Sequence, residues 1–108
     1  MKYGMTFIID LYDFEKEAAH HVLTTPGDYI RTKEWAVGNI GGGDENVESL
    51  RRNYATAWHA LKRRGELREM GLPDALTVEA VDAMADRFSI FVNEVEDDSL
   101  PLKGERGR

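Results

Sequence analysis

The adjacent imidazoles of His20-His21 are the first residues in this chain to invite a chemical reading, since histidine ligates metals and moves protons near neutral pH. On a helix, sequence neighbours point about 100° apart, so the two rings do not meet one ion from the same face. Glu17 stands four residues before His21 and offers half a site, but His59 sits alone beside Ala60 and no second pair answers it. No metal is expected. A nucleophile is equally hard to place. The serines are Ser49, Ser89 and Ser99, and none lies in the strained glycine elbow of a hydrolase. Paired carboxylates follow from acid abundance alone, and nothing in the pattern marks a desolvated pocket that would shift their pKa values. These residues name no catalytic group and no cofactor, and the expectation is a protein that is not an enzyme.

Two further motifs read as structure. Gly41-Gly42-Gly43 before a helix start has the look of a phosphate loop, yet Lys-Ser/Thr does not follow it. Asp44 would also repel a phosphate at that terminus, so the segment is a flexible linker with a helix cap. Arg51, Arg52, Lys62, Arg63, Arg64 and Arg68 form a basic stretch against Glu66 and Glu69. Its aromatic residues, Tyr54 and Trp58, fall on an apolar stripe and not beside the cations, which disfavours nucleic acid. Asp74, Glu79, Asp82, Asp86, Glu94, Glu96, Asp97 and Asp98 stand against Arg87 alone, so the chain is electrically bipolar. Pairing across helices, contacts between copies and a solvated mixed surface all fit that pattern.

The chain has 108 residues, 42% of them hydrophobic and 31% charged, enough for one domain with a core. It has no Cys, which removes disulfides, thiolate zinc sites and a cysteine nucleophile. A net charge of −6 opposes duplex binding that needs several phosphate contacts. Phe7-Ile8-Ile9 is too short for a signal peptide or a membrane span, and the expected location is the cytoplasm.

Helical spacing dominates the elements. Residues 5–9 read either as one short strand or as the lead-in to a first helix, and no strand-like partner is evident within hairpin distance. Asp10 caps that helix, and Leu11, Phe14, Ala18 and Val22 share a face before Thr24-Thr25-Pro26 stops it. A second helix starts with Thr25, Pro26 and Asp28 and ends at the glycines, with Trp35 beside its main stripe. The third starts at Asp44, carries Val47, Leu50, Tyr54, Ala57 and Leu61 as its stripe, and closes at Gly65. The fourth starts at Thr77 and carries Val78, Val81, Ala85, Phe88, Val92 and Val95. The pattern predicts a mainly α fold, a small four-helix domain over residues 1–98. The third and fourth helices make its central antiparallel amphipathic pair, and residues 99–108 form a flexible tail.

Tyr54-Ala55-Thr56-Ala57-Trp58-His59-Ala60-Leu61-Lys62-Arg63 resembles the central helix of small tail assembly chaperones from long-tailed, non-contractile phages. In those proteins a polar loop follows, then a helix with Phe and Val on its stripe, then acids. Here these would be Phe88, Phe91, Val92 and Val95, then Glu96-Asp97-Asp98. The likeness covers roughly residues 44–100 and departs at the front, where many relatives open with a β-hairpin. It implies a non-enzymatic protein of the host cytoplasm that coats the tape measure protein while the tail tube polymerises. It also implies a longer frameshifted product, departing in the tail after Asp98.

Two other readings stand beside it: a small phage or bacterial adaptor or head–tail connector, which would form rings of its own copies, and a helical regulator touching DNA through Arg51–Arg68. The partner is then the tape measure protein or another phage structural protein, with self-association as a further option. Trp35, Lys62 and Arg63 are the candidate partner-binding residues.

Overall fold

Burial along residues 8–13 alternates with a period of two: Ile9, Leu11 and Asp13 are buried, while Ile8 and Tyr12 reach the surface. That period belongs to a strand and not to a helix. The computed structural model describes the backbone of residues 2–96 and the side chains of residues 7–93. β1 (Lys2–Asp13) is the middle strand of a three-stranded antiparallel sheet, flanked by β2 (Ala18–Leu23) and β3 (Phe88–Glu96). Three helices, α1 (Pro26–Asn39), α2 (Glu45–Arg63) and α3 (Val78–Arg87), complete the described residues.

This is an α+β fold, which overturns the mainly α four-helix expectation in two places. The expected first helix is a β-hairpin. Asp13 Oδ1 accepts hydrogen bonds from the Glu15 and Lys16 amides, at 2.9 and 3.2 Å, and Glu17 takes a positive φ of 51°, so the chain turns back on itself. Residues 5–9 thus belong to β1, and their partner is Ala18–Leu23, whose alanines and histidines carry little strand signal of their own. The expected fourth helix ends at Arg87. From Phe88 the chain runs extended, with Phe88, Ile90 and Val92 opposite Asp13, Leu11 and Ile9 on the covered face. The packed antiparallel helix pair is accordingly α1 with α2, joined by the glycine loop. The tail assigned to 99–108 lies outside the described residues.

The helix starts stand where the capping residues put them. Thr25 and Asp28 form a reciprocal capping box on α1, Asp44 caps α2 through the Asn46 and Val47 amides, and Thr77 caps α3. Gly65, with φ of 73°, follows the end of α2. The core lies between one face of the sheet and the helices: Ile9, Leu11, Val22 and Phe88 meet Tyr54, Trp58 and Leu61 of α2 and Val81 and Met84 of α3. Tyr54 Oη donates to the Phe88 carbonyl at 2.6 Å, and Trp58 Nε1 to that of Pro73 at 2.9 Å, so the buried polar tips are satisfied. Val47 and Leu50, expected on the buried stripe, are exposed, while Ala55 and Ala60 take core positions. No helix among the described residues is long and apolar enough to cross a membrane.

Candidate interaction surface

Strand alternation sends every second residue of the sheet away from the helices. Register places Leu23 and Asn93 on either side of Ile8, His21 and Phe91 on either side of Asp10, and Ala19 and Ser89 on either side of Tyr12. This face is open. Phe91 is 67% exposed and Phe14, just past the end of β1, is 57% exposed, with Ile8, Tyr12 and Leu23 also at the surface. A solvated sheet face ordinarily carries polar side chains, so two aromatics and two large aliphatics on its strands make this face the candidate interaction surface. A polar stripe crosses its middle: His21 Nδ1 bonds Asp10 Oδ1, and Asn93 Nδ2 donates to Asp10 Oδ2 at 3.3 Å.

The stripe does not assemble a hydrolytic triad. Asp10 on the middle strand stands between His21 on β2 and Phe91 on β3, while Ser89 lies beside Tyr12, so two strand spacings and a two-residue offset keep Ser89 more than about 10 Å from His21. The His ring is therefore bonded to its carboxylate but is not beside the hydroxyl. His20 and His21 point to opposite faces of β2, so strand geometry separates the rings that the sequence set side by side. Among the described residues no three His, Asp or Glu side chains are grouped to hold a metal.

At the hairpin end the open face runs into a cleft. Phe14 packs edge-on against Tyr12, with ring centroids 5.5 Å apart, and its ring also lines a space of about 420 Å³ together with Leu72, Pro73, Ala80, Met84 and Arg87. The cleft's wall is anchored by a buried ion pair. Arg87 Nη2 and Nε donate to the two oxygens of Asp13 at 2.7 and 3.2 Å. Those bonds, helped by the Glu15 and Lys16 amides and against the cost of burial, hold the Asp13 carboxyl at about 2.

Trp35, the first of the candidate partner-binding residues, is not an exposed side chain. It is half-buried against the core, and its Nε1 donates to the Leu76 carbonyl at 3.0 Å, tying α1 to the segment before α3. Lys62 and Arg63 do come together, lining a second cleft with Arg31 and His59. Arg63 straddles the buried Asp28, with Nε at 3.1 Å from Oδ1 and Nη2 at 3.1 Å from Oδ2. Burial pushes the Asp28 carboxyl up, but Arg63, the Thr25 amide and Arg31 together bring it below the ordinary carboxylate range. The rest of the basic stretch is partly spent in ion pairs, Arg51 with Asp82 across to α3 and Arg64 with Glu66. The sheet-face residues were missed because their alternation becomes legible only once residues 7–14 are known to be extended.

A scan against protein-family models finds no match to this chain, and searches of curated proteins and of solved structures return no significant relative.

Proposed function

We propose that this chain is a tail assembly chaperone of a long-tailed phage or prophage. It binds the tape measure protein in the host cytoplasm and keeps apolar stripes of that long helical chain covered during tail assembly. The observation that carries this reading is the open sheet face, where Ile8, Tyr12, Leu23 and Phe91 offer an apolar platform to an amphipathic partner helix. The front of the chain adds support. The hairpin of β1 and β2, with its polar turn, is of the kind with which many of the chaperones that α2 resembles open, whereas Phe88, Phe91, Val92 and Val95, read in that likeness as a helix, lie on β3.

Co-expression with the long helical protein encoded just downstream of the gene tests the proposal. The pair co-purifies, and the larger partner stays soluble. Phe91→Lys, at an exposed strand position opposite Asp10, abolishes capture with circular dichroism unchanged. A partner that is soluble alone and never associates would overturn the reading and favour an adaptor or connector.

A further inference from the structure

Arg31, His59, Lys62 and Arg63 line a cleft of about 440 Å³ where the last turns of α2 meet the first half of α1. Three of these are permanent cations, and the carboxylate among them is that of Asp28, fully buried and bonded by both Arg31 and Arg63. Three positive charges against one negative leave the cleft cationic in a chain of net charge −6.

Donors remain available there. Arg31 gives Asp28 its Nη2, at 2.8 Å, which leaves Nε and Nη1 without a hydrogen-bond partner among the described residues. Lys62 Nζ lies 5.2 Å above the Trp58 ring and meets no carboxylate among the described residues. The Nε2 of His59 is buried and has no hydrogen-bond partner among the described residues. That nitrogen is shielded from solvent, so the ring lines the cleft without offering this atom to a ligand. Burial lowers the pKa of this ring, the charges of Arg31 and Lys62 lower it further, and Asp28 pulls it the other way.

We propose that this cleft binds a carboxylate carried by a partner polypeptide, a Glu or Asp side chain received by Arg31 and Lys62 with His59 beside them. Arginine forks receive carboxylate and phosphate alike, so charge decides between them. The negative field of the whole chain opposes a ligand in proportion to its charge, so a single carboxylate is opposed least and a polyphosphate strand most. The site stands on this cleft alone and does not depend on what the open sheet face binds.

The test is a titration of the full chain with a short blocked peptide containing Glu, followed by backbone amide and His ring NMR signals. The expected result is that signals of Arg31, His59 and Lys62 move with the Glu peptide and not with its Gln counterpart. Lys62→Glu, at an exposed position, weakens the interaction by about tenfold or more with circular dichroism unchanged. Arg31→Gln, which leaves the Arg63 fork on Asp28, is a second variant expected to weaken it. No shift at millimolar peptide, an equal response to the Gln peptide, or retained affinity in both variants would overturn the proposal. So would inorganic phosphate binding as tightly as the peptide, which would assign the cleft to phosphate.

Discussion

Asp13 and Asp28 are fully buried, and each is held ionised by arginine from a distant part of the chain. Asp13 has the sharper consequence, because Arg87 brings its carboxyl from an ordinary 3.8 to about 2. A carboxyl with a folded-state pKa below its unfolded value binds protons more readily when unfolded. Its contribution to stability is therefore fully present above about 3.8 and is lost as pH falls through about 2. Melting temperatures measured across that window give the check. The gap between the parent chain and Asp13→Asn is widest above pH 4 or so and narrows toward pH 2. A constant gap would mean that Asp13 acts through packing alone.

At the scale of elements, Asp28 is the joint between the start of α1 and the end of α2, since one carboxylate serves the Thr25 amide, Arg31 and Arg63. Asp28→Ala removes the capping box and leaves two guanidiniums without their shared partner. The expected loss is about 3 kcal/mol, at the low end for a broken buried pair because both arginines reach solvent. Denaturant unfolding measures it, and a loss under about 1 kcal/mol would show that the helices hold together without this joint. The helix starts at Thr25, Asp44 and Thr77 were legible because capping is local chemistry. The strands were not, and the reason is arithmetic. Ala18 with Val22, and Phe88 with Val92, are apolar residues four apart, a spacing that keeps side chains on one face of a helix and equally on one face of a strand. Pairing between β1 and β3, more than seventy residues apart in sequence, decides the matter, and local spacing carries no record of it. The candidate sites divide the same way. Lys62 and Arg63 lie on a helix that the sequence placed correctly, whereas Tyr12 and Phe91 take their face from a sheet that it did not.

For the whole molecule, the two surfaces differ in kind: an apolar sheet face with a single polar stripe, and a cationic cleft at the junction of α1 and α2. A partner helix with an apolar stripe and acidic flanks would satisfy both chemistries. The sheet also sets how the chain closes on itself. Lys2 is paired with Glu96, so the two ends of the described chain lie side by side on neighbouring antiparallel strands. Such neighbours can be bridged by a tight two-residue turn, while the glycine loop between α1 and α2 has positive φ at Gly41 and Gly42 and no packing around either. A circular permutant that joins residue 96 to residue 2 and opens at Gly42 should therefore refold with the same circular dichroism spectrum, and failure to fold would show that the order of synthesis matters. The order of elements from β1 to β3 is, on this geometry, one cut through a ring whose seam is the pairing of Lys2 with Glu96.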